Sequence, residues 1–400
     1  MKKVLVRGPA LSQAGYGEHT RFLLRSLRKR EDLFDIYLIN VSWGATSWLW
    51  DQNEEREWID SILEKTAHYL SEQGQFDVSL QVTIPGEWEK LAPINIGVTA
   101  GTETTKISPQ WVEKCLHMDK IIVVSEHTRQ SIINTSYPAV NNATGENFEA
   151  KTTCPVDVVG YPCKDIKKSK IKIDLEHDFN FLTVGTWIPR KNMENTIRWF
   201  MEEFQDEEVG LIIKTSVGKN SILDRNHCFN RLKSITEPYK DAKCNVYLLH
   251  GDFLEEEMTY LYNHPKIKAL ISMSHGEGFG LPMFEAAYNG LPVIATDWGG
   301  QCDFLYMPDK NKKKKAMFTK IPYELKMIQP EAVWDSVLIR ESEWAFPVEW
   351  STKKAFRQFR KNHGAAVSKA KKLKTWIKKE FSEKNQFEKF ANSVADVLDF

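Results

Sequence analysis

Residues 274–300 read SHGEGFGLPMFEAAYNGLPVIATDWGG. The apolar run ALISMS (269–274) leads into this stretch and VIAT (293–296) leads out of it, and both have the length and composition of buried strands. Between them, Pro282 suits the first turn of a helix and Gly290 suits its end, which predicts a helix over about 282–289. Strand, glycine turn, helix and strand in that order form one unit of a parallel α/β sheet. The turn His275-Gly276-Glu277-Gly278-Phe279-Gly280 then sits at the positive end of a helix dipole. Backbone N–H groups at Gly278, Phe279, Gly280 and Leu281 suit phosphate oxygens there, and glycines admit a bulky diphosphate. Two carboxylates, Glu277 and Glu285, have no electrostatic use at a phosphate, but they accept hydrogen bonds from sugar hydroxyls. A nucleotide sugar has the matching layout, with Glu285 in reach of a ribose and Glu277 in reach of a second sugar. The same spacing also fits a plain turn residue followed by a first-turn acid favoured by the dipole.

The alternation continues outward in both directions. VLVR (4–7), DIYLIN (35–40), VSLQV (78–82), NIGVT (95–99) and KIIVVS (120–125) read as strands, with helical patterns over 17–30, 54–71 and 111–116. After VDVVGYP (156–162) and the lysine-rich linker 164–178, a second series begins. Its strands are NFLTV (180–184), VGLIIK (209–214), NVYLLH (245–250), ALISMS and VIAT, with helices expected near 192–204, 226–235 and 254–263. The expected fold class is α/β, with two doubly wound Rossmann-like domains facing each other across a cleft, plus C-terminal helices. The expected domains are 1–165, 178–345, and a basic helical segment 346–400 packing back on the first domain.

A chain of 400 residues, 42% hydrophobic and 27% charged, is large enough for two cores. Nothing in it approaches the roughly 20 apolar residues of a membrane span, and the apolar run after MKK is too short for a signal peptide. Six cysteines without paired ligand spacing or a disulfide framework suit a reducing cytoplasm. Net charge is zero, yet Lys310 to Phe390 holds 21 Lys and Arg against 9 Asp and Glu. That segment could serve an anionic membrane surface or DNA, or it could be a solvated helix face with a lysine-rich loop at 312–315.

The 277–300 stretch resembles the C-terminal domain signature of retaining glycosyltransferases of the two-Rossmann-domain (GT-B) type. The likeness is to glycosyltransferase family 4 in particular, whose E-x7-E motif sits in EGFGLPxxEAxxxGxPVIATxxGG. FLTVGTWIPRKNMENTIRWF (181–200) is similar to the family's first C-terminal strand and loop, where a basic pair clamps the donor diphosphate. Arg190 and Lys191 occupy the matching places, and Thr186 follows Gly185 where many members carry an arginine. LLHGDFLEEEMTYLY (248–262) resembles the segment leading up to the motif, and residues 94–131 resemble an N-terminal-domain pattern that puts Glu103 in the cleft. Here Gly101-Thr102 replaces the usual single aromatic.

The resemblance implies a retaining transfer of a sugar from a nucleotide-diphosphate sugar, UDP- or GDP-linked, to an acceptor hydroxyl. It implies no metal and no cofactor, and this chain has no DxD-type acid cluster placed at a strand end. The implied catalytic residues are Glu277, Lys191, Arg190 and Glu103. The implied donor-binding residues are Glu285, Gly278, Phe279, Gly280, Leu281, Gly185, Thr186, Gly15 and Gly17. The last two stand in the turn Gln13-Ala14-Gly15-Tyr16-Gly17-Glu18, which is turned toward donor phosphate or acceptor. His275 is a further candidate to assist proton transfer. The acceptor is a glycan or glycolipid at the inner membrane face, or, in the alternative, a modified base in DNA. Trp43, Trp48, Trp50 and Trp58 crowd the acceptor side, half of them expected in the core. A non-catalytic nucleotide-sugar-binding protein is the reading from a different class.

Overall fold

The structure, a computed structural model, describes residues 1–44, 46–50, 52–141 and 143–398. Asp399 and Phe400, which end the expected basic segment, lie outside the described residues, as do Ala45 and Asp51 of the tryptophan-rich stretch. The chain divides into two compact units. One holds Met1–Pro162, Val333–Glu343 and the residues from Glu383 on; the other holds Cys163–Ala332 and Trp344–Ser382.

In the first unit, β1 (Lys2–Gly8), α1 (Gly15–Arg28), β2 (Phe34–Asn40), α2 (Glu54–Ser71), β3 (Val78–Val82), β4 (Ile94–Thr99), α3 (Pro109–Cys115), β5 (Lys120–Val123) and α4 (Glu126–Asn134) follow one another. A hairpin, β6 (Ser136–Val140) and β7 (Asn147–Lys151), precedes β8 (Val156–Val158). The sheet order is β2-β1-β3-β4-β5-β8, and every pair is parallel. Strands such as VSLQV are buried along their whole length, as parallel strands covered on both faces must be. Side chains of Asn53, Ser108 and Ser125 accept from backbone N–H groups in the first turns of α2, α3 and α4 and fix where those helices start.

In the second unit, β9 (Asn180–Val184), α5 (Met193–Phe204), β10 (Gly210–Thr215), α6 (Ile222–Thr236), β11 (Asn245–His250), α7 (Glu255–Tyr262), β12 (Ile267–Ser272), α8 (Leu281–Asn289) and β13 (Val293–Thr296) repeat the pattern. A short α9 (Cys302–Leu305), the antiparallel pair β14 (Tyr306–Pro308) and β15 (Lys314–Ala316), and β16 (Thr319–Ile321) follow. The sheet runs β11-β10-β9-β12-β13-β16, parallel throughout. Strand order reverses between β9 and β12, so the C-terminal ends of these two strands form a topological switch point. Ligands of open α/β sheets favour that place.

The C-terminal block divides between the units. Phe356 and Phe359 of α10 (Glu349–Lys361) are buried against Phe181, Phe200 and Phe204, and this anchors α10 in the second core. α11 (His363–Glu380) stays in the same unit and buries Ala370, Leu373 and Ile377. α12 (Glu383–Ala395) returns to the first unit, where Phe387 and Phe390 meet Phe22 of α1. Much of the basic charge on α10 is neutralised locally: Arg357, Arg360 and Lys353 pair with Glu203, Glu207 and Glu202. The lysine-rich stretch 312–315 turns through Lys312, at φ 62°, into strand β15. Among the described residues, no helix is long and apolar enough to cross a membrane.

Candidate active site

Two loops leave the switch point of the second sheet. The loop after β9 passes Gly185 and Thr186 and makes one tight helical turn, Pro189–Lys191. The loop after β12 carries Ser274 to Gly280 and opens α8. They are tied together by backbone, since His275 N donates to Arg190 O at 2.8 Å and the Ser274 hydroxyl donates to the same oxygen at 3.2 Å.

The side chains complete the joint. Lys191 Nζ lies 2.5 Å from Glu277 Oε1, and Arg190 donates to Glu277 Oε2 at 3.1 Å and to Gly276 O at 2.7 Å. Glu277 is only 6% exposed. Burial alone would push its carboxyl up, but Lys191 first and then Arg190 overcome that cost and hold its pKa at about 2. Glu277 is therefore an anion at every physiological pH, in a cluster of net charge +1. A Cβ on Gly185 would press on Lys191 Cδ at 3.3 Å, so glycine lets the lysine stem lie flat across the strand end.

α8 starts at Leu281, one residue before the expected position. Gly280, its N-cap, is left-handed at φ 93° and offers no side-chain acceptor to the first turn, and Pro282 occupies that turn. Gly290 closes the helix at φ 86°. The Gly299-Gly300 pair after β13 packs against the motif from behind. Gly300 N donates to Glu277 O at 2.8 Å, and a Cβ there would overlap the Gly278 carbonyl. Glu285 lies one turn into α8, and Tyr262 donates to its Oε2 at 2.7 Å. Lys214, at the end of β10, feels the charge of Glu285; burial lowers its pKa, and Asp252, Glu285 and Glu257 oppose the shift. Tyr262 and Lys214 were not singled out in the sequence.

His275 is a neutral wall of the turn. Its Nδ1 faces Ala345 O at 2.7 Å, so that nitrogen carries the proton, and the Gln329 amide donates to Nε2 at 3.2 Å. The ring stacks on Trp344 at 5.1 Å, and burial lowers its pKa to about 4. Both ring nitrogens thus have partners within the unit.

The first unit gathers its own candidates. Gly17 is sterically required, because a Cβ would overlap the Ser12 carbonyl oxygen, whereas Gly15 faces open space. Tyr16, between them, meets Thr99 Oγ1 at 2.7 Å and so joins the glycine turn to the end of β4, four residues before Glu103 of the next loop. Burial above all raises the Tyr16 phenol pKa; the Thr99 hydrogen bond opposes this and Glu103 reinforces it. Trp43 packs on Tyr16 with ring centroids 4.3 Å apart. Contrary to expectation, none of the four tryptophans is in the core: Trp43 and Trp58 are half-buried, while Trp48 and Trp50 are exposed.

Residues 165–310 match the family model described as glycosyl transferases group 1. The serotype-specific mannosyltransferase WbdA of Escherichia coli is 31% identical over 128 residues, which cover 30% of this chain and 13% of that protein. The chain thus spans only a small part of the curated relatives it matches. Among solved structures, sucrose-phosphate synthase from Thermosynechococcus elongatus superposes with a TM-score of 0.64 at 11% identity, covering 99% of each chain. Anabaena HepE in complex with UDP and glucose superposes with a TM-score of 0.61 at 11% identity, covering 99% of this chain and 100% of that one. The fold is that of GT-B proteins.

Proposed function

We propose that the chain is a retaining glycosyltransferase, similar to family 4, that moves a sugar from a UDP- or GDP-sugar to a hydroxyl of a glycan or glycolipid. One observation carries this reading: Arg190, Lys191 and Glu277 converge from adjacent strand ends at the switch point of the second sheet, beside the glycine-opened start of α8. As the bond between anomeric carbon and phosphate oxygen breaks, negative charge grows on the diphosphate and positive charge on the sugar ring. Lys191, Arg190 and the amides around Phe279–Leu281 stabilise the departing diphosphate without a metal. Glu277 accepts from a hydroxyl of the transferred sugar and Glu285 from the ribose. The acceptor oxygen bonds to the anomeric carbon on the face the diphosphate leaves, and its proton passes to a diphosphate oxygen. Glu103 and the Gly15–Gly17 turn are the residues the first unit offers to a ligand.

Screening UDP, GDP and their sugars by thermal shift identifies the donor. Lys191→Ala and Glu285→Ala are then expected to lower turnover or donor affinity by roughly 10- to 150-fold, the effect of one charge-assisted hydrogen bond. Wild-type values in both variants overturn the assignment. Failure to hydrolyse or transfer from any nucleotide sugar favours a binding protein instead.

A further inference from the structure

The carboxylate at Glu285 is held by a neighbour outside the 277–300 stretch. Tyr262 is the last residue of α7, 3% exposed, and its hydroxyl donates to Glu285 Oε2 at 2.7 Å. A phenol brought this deep into a core needs an acceptor. Many acceptors would satisfy it, and here the acceptor is a side chain on the ligand-facing helix. The two helices are cross-linked one residue further on, where the Asn263 amide donates to Asn289 Oδ1 at 2.8 Å. Asn289 in turn donates to Glu285 O at 3.0 Å. Backbone and side chain of Glu285 are therefore both referenced to the end of α7, while Lys214 adds a cation on the strand side.

We infer that Tyr262 is a positioning residue: its hydroxyl occupies one oxygen of Glu285 and turns the carboxylate so that the other meets the hydroxyls of a nucleotide ribose. The inference rests on the reading of Glu285 as a donor contact. A carboxylate oriented in advance loses less entropy on binding, so the phenol acts on affinity rather than on chemistry. A tyrosine that merely fills its slot would act on folding alone.

Tyr262→Phe keeps the ring and removes the donor. Binding is measured by calorimetry with UDP and GDP and their 2′-deoxy and 3′-deoxy forms, and kinetics with UDP- and GDP-sugars. Expected for the variant is a rise of roughly tenfold in nucleotide Kd and donor KM with kcat within about twofold, the low end of the effect of a single hydrogen bond to a charged group, because the phenol acts on the ligand only through Glu285. Its discrimination between ribose and deoxyribose nucleotides should collapse, and adding Tyr262→Phe to Glu285→Gln should cost nothing further. Wild-type KM with intact discrimination in Tyr262→Phe, or a fall in kcat at constant KM, overturns the inference. Should the wild type ignore the ribose hydroxyls, or Glu285→Gln bind like the wild type, the reading of Glu285 fails first and takes the inference with it. A shift in melting temperature without the KM effect marks a purely structural tyrosine and also overturns it.

Discussion

Glu277→Gln separates the electrostatics of the cluster from its shape. The amide fills the same space and still hydrogen-bonds, but the anion between Lys191 and Arg190 is gone. The structure holds the carboxyl at about 2 against an ordinary value of 4.5. That corresponds to about 3 kcal/mol of stability at neutral pH, net of the burial cost. In a unit of this size, 1 kcal/mol moves the midpoint by about 2–4 °C, so the second unit should melt about 6–12 °C lower. The pH dependence has a definite sign. A depressed folded-state value gives stability that is complete above the unfolded value of 4.5 and is lost as pH falls toward 2. The gap between wild type and variant is therefore flat from pH 8 to 6 and narrows by about 1 kcal/mol at pH 4. Ligand binding moves the other way. With one negative charge removed beside the proposed diphosphate site, UDP or GDP should bind the variant at least as tightly as the wild type, while sugar transfer falls. Thermal melts at pH 7, urea titrations at pH 7 and pH 4, and nucleotide calorimetry at pH 7 test all three parts. A midpoint within 2 °C of wild type, a gap unchanged at pH 4, or weaker nucleotide binding would refute the electrostatic account.

Buried neutral histidines make the fold acid-sensitive well above the carboxylate range. Burial holds His275 at about 4 and His19 at about 3, below the ordinary 6.5, so the folded state stays uncharged while the unfolded chain takes up protons. Stability is complete above pH 6.5 and falls below it; urea unfolding should show each such histidine withdrawing about 2 kcal/mol between pH 7 and pH 5, and equal stability at the two pH values would contradict this. The outer face of α11 carries exposed Lys371, Lys372, Lys378 and Lys379, and we expect it to retain the protein on vesicles rich in anionic lipid. Retention should disappear at about 0.5 M salt and in a variant with Lys371, Lys372, Lys378 and Lys379 changed to Gln; retention on neutral vesicles, or insensitivity to salt, would exclude that role.

What could be read in the chain, and what could not, follows from the range of the forces involved. Strands such as VSLQV and NFLTV announce themselves because both faces are buried, so neither carries a charged side chain and three of the five residues in each are apolar. β16 does not: TKI is three residues long, and it is a strand because β13 offers it an edge and Ile321 reaches the core. The hairpin of β6 and β7 is largely exposed, and is held by its own cross-strand pairing and by Tyr137 and Ala150 packing on a core cluster. α6 starts four residues before its expected position because Ser221 accepts from Asp224 N, a cap the apolar periodicity does not reveal. The site divides along the same line. Glu277 and the glycine turn are legible because a carboxylate beside three glycines at a helix mouth is a local peculiarity. Their coupling to Arg190 and Lys191 spans some 86 positions and depends on β9 lying next to β12, which only the sheet order supplies. The phenol of Tyr262 is concealed more thoroughly, since in LEEEMTYLY it is simply one more apolar residue at the end of a helix. The basic C-terminal segment is hard to read for the same reason: the acids that neutralise Arg357 and Arg360, Glu203 on α5 and Glu207 just after it, stand more than 150 positions earlier. Composition counts charges along the chain, whereas the field at a surface sums them in space, so ion pairing across the fold decides how much of that charge a partner can meet.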